Sequence, residues 1–124
     1  MGEAVGEQIE LRVEHALERH PERFRERCFT PREIAELDRK PRPSESYAGR
    51  FAAKEAIGKA LGTGVHFTWT EIEVAGRGKP SVTLHGWTRE VATRKGVLAI
   101  DVSITHSRTT SAAVAIAILE PEGA

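Results

Sequence analysis

Four short stretches carry residues able to do chemistry. In the run Arg50-Phe51-Ala52-Ala53-Lys54-Glu55-Ala56-Ile57-Gly58-Lys59, a carboxylate and an ammonium stand at positions i and i+4, with two further cations beside them. On a helix that spacing puts Glu55 and Lys59 on one face. From spacing alone such a pair reads as solvated surface, contributing about 0.3–0.5 kcal/mol. Gly78-Lys79-Pro80 is a turn whose backbone amides and one ammonium could meet a phosphate, and equally an ordinary hairpin turn. Ser103-Ile104-Thr105-His106-Ser107 ends a strand with an imidazole and hydroxyls, suited to a phosphate or an adenine edge or simply exposed. Arg12, Arg19, Arg23, Arg25 and Arg27 alternate with glutamates, giving either a mixed solvated face or an arginine stripe for an acidic partner.

Other chemistries drop out. There is no G-x-S-x-G elbow, no H-E-x-x-H and no P-loop. Cys28 is the only cysteine, so neither an intrachain disulfide nor a Cys-rich metal site can form. Eighteen basic residues balance eighteen acidic ones, which leaves no global field to draw in nucleic acid or a membrane surface. No apolar run is long enough to span a bilayer, and the glutamate-bearing start is unlike a secretory signal. A cytoplasmic protein with no nucleic-acid or membrane partner is expected.

The 124 residues, 40% hydrophobic and 29% charged, suit a single domain over 1–124. Alternation of Ile9, Leu11 and Val13 with polar residues predicts a strand from Val5 to Val13. It overlaps a helical pattern that runs through Ala16, Leu17 and Phe24 and contains Pro21. Thr30-Pro31-Arg32-Glu33 reads as a capping box opening a helix. After the break Lys40-Pro41-Arg42-Pro43, Ser44 is the expected cap of a long helix ending near Leu61, where Gly62-Thr63-Gly64 stops it. Strands follow at Glu71–Val74, Ser81–Leu84, Ile100–Thr105 and Ala112–Leu119, with a helix from Trp87 to Lys95 between the second and third. The turn at Gly76–Pro80 makes the first two a hairpin. The fold class is α+β: a three- or four-stranded, mainly antiparallel sheet packed on the long helix. Ala112–Ile118 is apolar nearly throughout, so that strand is expected to be covered on both faces, within the domain or by another subunit.

Taken in order, Phe29-Thr30 with Glu33, Ala48-Gly49-Arg50-Phe51-Ala52-Ala53-Lys54-Glu55-Ala56, Lys59-Ala60-Leu61-Gly62-Thr63-Gly64, Trp69 with Glu71-Ile72-Glu73-Val74, Gly78-Lys79-Pro80 and Ser103-Ile104-Thr105-His106-Ser107 resemble the holo-acyl-carrier-protein synthase family. These are small trimeric 4′-phosphopantetheinyl transferases. The likeness covers about residues 12–120. It implies transfer of the phosphopantetheine arm of coenzyme A to a serine of an apo acyl carrier protein, with release of 3′,5′-ADP and help from Mg²⁺ or Mn²⁺. Glu55 then matches a metal ligand and Lys59 a catalytic cation at the departing phosphate. Arg50, His106 and Ser107 match contacts to coenzyme A, and Gly78, Lys79 and Pro80 line the same cleft. The likeness further implies a homotrimer with the cleft between subunits, and carrier docking on the first helix at Arg12, Arg19 and Arg23.

The start departs from the family pattern, which has Gly-x-Asp supplying a second metal ligand. Counting back without gaps from Arg12-Val13 puts Gly6 at the aspartate position; a two-residue deletion puts Gln8 there instead. No aspartate precedes Asp38. Glutamine offers a carbonyl oxygen but no charge, which weakens a Mg²⁺ site unless Glu7 or Glu10 compensates. A homologue that binds coenzyme A or a carrier protein without efficient transfer is therefore the second reading.

Overall fold

The computed structural model describes residues 2–62, 68–106 and 111–120, without the side chains of residues 2–10, 106, 111 and 112. Helix α4 (Pro43–Leu61) is its axis. Ala48, Gly49, Ala52, Ala53, Ala56 and Gly58 are all buried, because small side chains let neighbouring backbones approach from several directions. From Phe51 onward only Phe51, Glu55, Lys59 and Ala60 of this helix keep some exposure. Pro43 starts the helix and Arg42 is the N-cap without a side-chain bond, so Ser44 is not the cap that the sequence suggested. The fixed φ of proline already sets the first turn. At the other end Gly62 adopts φ +73°, and Lys95 Nζ donates to Leu61 O at 2.6 Å.

Two antiparallel sheets, rather than one, flank this axis. Strands β1 (Gly2–Gly6), β4 (Val97–His106) and β5 (Ser111–Leu119) form a three-stranded sheet in the order β1-β5-β4, and β2 (Ile72–Ala75) pairs with β3 (Ser81–Leu84). The hairpin and the α+β class follow the sequence; the division into two sheets was not legible. Register places Val102 beside Ala115 and Ile104 beside Ala113. Ala113, Ala115 and Val102 are buried, and α4 packs on β5 and β4. The alternate face carries Ile116 and Ile118, 46% and 48% exposed. The terminal strand is thus covered on one face by this chain, not on both.

The N-terminal expectation needs correction. The strand ends at Gly6, and helix α1 (Glu7–Arg19) begins at once. Val13 is 1% exposed while Leu11 is 59% exposed, although alternation would have put both on one face. Val13, Leu17 and the later Phe24 join the core, so the helical period prevails over the period of two. Pro21 does not interrupt a long helix: it opens a second one, α2 (Pro21–Cys28), at its first turn. Helix α3 (Pro31–Asp38) has the predicted capping box, with Glu33 N donating to Thr30 Oγ1 and Thr30 N donating to Glu33 Oε1. Helix α5 (Gly86–Arg94) lies close to its expected bounds.

Candidate active site

Glu55 projects from the exposed stripe of α4, one turn after Phe51 and one before Lys59. Its side chain is 28% exposed, yet Oε2 is enclosed and receives no hydrogen bond among the described residues. An unsatisfied buried carboxylate oxygen is costly, and a cation or a donor beside it would relieve that cost. Among the described residues Arg12 on α1 is within ion-pair range, with Nη2 at 3.8 Å from Oε2. Arg12 Cζ also lies 5.8 Å from the Phe51 ring centroid, and Phe51 stacks on Trp69 at 4.4 Å.

The residue before Glu55 determines where the carboxylate points. Lys54 is fully buried and donates to Glu33 Oε1 at 2.5 Å, Cys28 O at 2.7 Å and Trp69 O at 3.1 Å. All three ammonium protons are placed. Glu33 in turn accepts from Thr30 N and from Val74 N, each at 2.8 Å. Burial pulls the Lys54 pKa down and the Glu33 charge opposes it. With α4 locked in rotation by that network, the next side chain must face outward. Glu33 and Lys54 were missed as a pair; a lysine amid buried alanines was the available signal. Burial pushes the Cys28 thiol up, which agrees with its omission as a nucleophile.

Arg50 belongs to a different face. Five residues separate it from Glu55, about 140° around the helix. Arg50 is 9% exposed, and its guanidinium donates to Val74 O at 2.5 Å and Gly76 O at 3.1 Å. Burial lowers its pKa, opposed by Glu36 and Glu33. Gly76 N donates to Glu36 Oε2 at 3.0 Å, so α3 and α4 both hold the turn after β2. Between that turn, α4 and the edge of β4 lies a cavity of about 730 Å³, lined by Ser46, Arg50, Gly78, Lys79, Pro80 and Ser103 among others. Lys79 Nζ meets Asp101 Oδ1 at 2.6 Å at this cavity.

The chain therefore brings Arg50, Gly78, Lys79 and Pro80 together, and brings Glu55 and Lys59 together, but does not join the two groups. Arg12, Arg19 and Arg23 are all exposed; Arg12 and Arg19 stand seven residues, about two turns, apart on α1. Arg25 is not part of that stripe, since its Nε donates to Asp38 Oδ1 at 3.1 Å and to Tyr47 Oη at 3.2 Å. The side chains of Gln8 and His106, and all of Ser107, lie outside the described residues.

Among the described residues there is no cluster of three or more His, Cys, Asp or Glu side chains able to hold a metal. A hard cation takes one or two protein carboxylates, keeps waters and shares its shell with phosphate oxygens. The Glu55 oxygen fits such an ion.

Residues 4–117 match the family profile of the 4′-phosphopantetheinyl transferase superfamily. The chain is 43% identical to a holo-[acyl-carrier-protein] synthase of Solibacter usitatus, over 94% of this chain and 98% of that one. Its fold is similar to the crystal structure of the holo-ACP synthase of Plasmodium yoelii, with a TM-score of 0.82, 28% identity and coverage of 97% and 94%. The Helicobacter pylori holo-[acyl-carrier-protein] synthase in complex with coenzyme A is similar too, with a TM-score of 0.79, 29% identity and coverage of 94% and 98%. The chain belongs to the 4′-phosphopantetheinyl transferase superfamily.

Proposed function

We propose that this chain, acting as one domain, transfers the 4′-phosphopantetheine arm of coenzyme A to a serine of an apo acyl carrier protein. The serine oxygen forms a bond to the phosphorus that carries the pantetheine arm. The bond from that phosphorus to the bridging diphosphate oxygen breaks, 3′,5′-ADP leaves with that oxygen, and the serine proton passes to solvent. Such a transfer depends on positioning and charge neutralisation more than on covalent chemistry by the protein.

Glu55 and Lys59 are the catalytic pair in this reading. Glu55 would hold Mg²⁺ or Mn²⁺, which when bound neutralises diphosphate charge. Lys59, on the same stripe, would meet the charge that collects on the departing phosphate. Arg50, Gly78, Lys79 and Pro80, with His106 and Ser107, would receive the other phosphate and the adenosine end. Arg50 does so partly by holding the Gly76–Pro80 turn in place. Arg12, Arg19 and Arg23 would face the acidic carrier.

A cofactor that touches both groups of residues is easiest to place between two copies of the chain, because the groups lie about 140° apart around α4. We therefore read the working protein as a homotrimer, with the open face of the β1-β5-β4 sheet as a contact surface. No helix among the described residues is long and apolar enough to cross a membrane, and the reading places the enzyme in the cytoplasm.

The observation that carries the proposal is the enclosed Oε2 of Glu55, which accepts no hydrogen bond among the described residues although it lies on the partly exposed stripe of α4. The test is direct. Incubation with coenzyme A, Mg²⁺ and an apo acyl carrier protein should raise the carrier's mass by one phosphopantetheine and release 3′,5′-ADP. Absence of any mass gain with Mg²⁺ or Mn²⁺ removes the transferase reading and leaves the binding-only homologue.

A further inference from the structure

The Arg12–Glu55 ion pair occupies the ground on which the reading above puts a divalent cation. Nη2 lies 3.8 Å from Oε2, beyond hydrogen-bond reach, and that same oxygen is enclosed with no other donor among the described residues. The guanidinium is therefore near enough to compensate the charge but does not satisfy the oxygen. It is held by two loose contacts, one to the carboxylate and one to the face of Phe51 at 5.8 Å. Phe51 is itself fixed against Trp69. With 63% of its side chain exposed, Arg12 can turn outward into solvent at the cost of these two long contacts alone among the described residues.

We propose that Arg12 is the resident counter-ion of Glu55: it balances the carboxylate while no metal is bound, lowers its affinity for a divalent cation, and turns outward as the ion binds. The charges require this direction. A dication at Glu55 is attracted by one negative charge and repelled by the neighbouring positive one, so the guanidinium offsets part of the attraction. Removing Arg12 restores the full attraction. With the Arg12 side chain 63% and the Glu55 side chain 28% exposed, solvent screens the pair, and the effect corresponds to roughly three- to tenfold in affinity. The coupling is reciprocal. Whatever draws Arg12 away from Glu55, such as an acidic segment of a docking protein, tightens the ion, and the ion tightens that partner.

This inference rests on Glu55 being the cation ligand, and the experiment separates the two claims. Mn²⁺ is titrated into the full-length protein without coenzyme A, and free Mn²⁺ is followed by electron paramagnetic resonance. The proteins compared are the wild type, Arg12→Gln, Arg12→Lys, Glu55→Gln and the Arg12→Gln/Glu55→Gln double variant. Circular dichroism checks that each is folded. Arg12→Gln should bind Mn²⁺ roughly three- to tenfold more tightly than the wild type, and Arg12→Lys should stay close to wild type. The gain should vanish in the Glu55→Gln background and narrow at high salt. Unchanged or weaker binding by Arg12→Gln, while Glu55→Gln weakens binding, overturns the role of Arg12 and leaves Glu55 as the ligand. Mn²⁺ binding unaffected by Glu55→Gln overturns the ligand assignment itself, and the counter-ion role with it.

Discussion

Lys54 Nζ and Glu33 Oε1 lie 2.5 Å apart with both side chains fully enclosed. The pair ties α4 to α3, to the end of α2 through Cys28 O and, through Val74 N, to β2. A buried pair need not outperform an apolar substitute. Breaking one partner is different, because it strands the other. Lys54→Met leaves the Glu33 carboxylate enclosed with two amide donors and no cation, and should lower stability by about 3–5 kcal/mol. Glu33→Gln keeps an acceptor for one amide and should cost less. Urea unfolding of both variants decides the matter; a Lys54→Met protein as stable as the wild type would show that the network does not hold α4.

Glu55 is expected to behave oppositely, although it is the next residue. Its Oε2 has no hydrogen bond to lose among the described residues, and the cation paired with it is an exposed arginine. Glu55→Gln should therefore leave the unfolding midpoint unchanged or slightly raised. Under the proposed function it should also cut phosphopantetheine transfer by about 10²-fold or more, the usual scale for losing one element of transition-state charge stabilisation. Carrier mass analysis and thermal unfolding on the same preparation separate the two effects. A Glu55→Gln enzyme with full turnover would place the catalytic charge elsewhere.

How much of this was legible in the residues varied with the kind of signal. The α3 capping box, the Gly62 stop, the β2–β3 hairpin and the stripe holding Glu55 and Lys59 all follow from local spacing, and the structure has them. Local spacing misled where two periods overlapped. Ile9, Leu11 and Val13 fit a strand in isolation, but the burial of Val13, Leu17 and Phe24 is decided by contact with the rest of the core. Strand β1 was hidden because Gly2-Glu3-Ala4-Val5-Gly6 has little intrinsic strand preference. It exists by pairing with β5 over one hundred residues away, and no window along the chain reports such a contact. The same limit applies to the site. The sequence named Arg50 and Glu55 together; their spacing alone sets them about 140° apart on a helix, and only the fold shows what each face meets.

The open sheet face offers a test of assembly. Ile116 and Ile118 stand side by side on one face of β5, each close to half exposed. If copies of the chain pack there, Ile116→Asp would bury an unpaired carboxylate at the contact. Sedimentation should then show the wild type as a trimer and the variant shifted toward monomer, with transfer activity falling in parallel. In the monomer that face meets water, so the variant should stay folded by circular dichroism. An Ile116→Asp protein that sediments as the wild type does would remove this face from the assembly.

The start of α5 supplies a prediction about pH. His85 precedes it without a side-chain cap, and Glu71 does the capping from outside the helix. Glu71 accepts from Thr88 N at 3.1 Å, Thr88 Oγ1 at 2.8 Å and Trp87 N at 3.2 Å. Slight burial pushes its pKa up, but these hydrogen bonds, with the nearby His85 charge, outweigh that and hold the carboxylate below its usual range. A lowered folded-state pKa means that the unfolded chain takes up the proton first as pH falls. The stabilisation is thus complete above the ordinary glutamate value of about 4.3 and is lost as pH drops through the lower folded value. The stability difference between wild type and Glu71→Gln, measured by urea unfolding, should be largest near neutrality and shrink below about pH 4. Gly86 gives an independent check, because its φ is +56° and a Cβ there would collide with Glu71 Oε2. Gly86→Ala should cost about 1–3 kcal/mol at neutral pH, and less when combined with Glu71→Ala, since the collision is gone and only the backbone strain remains. Equal costs in the two backgrounds would mean that the carboxylate does not sit over the helix start.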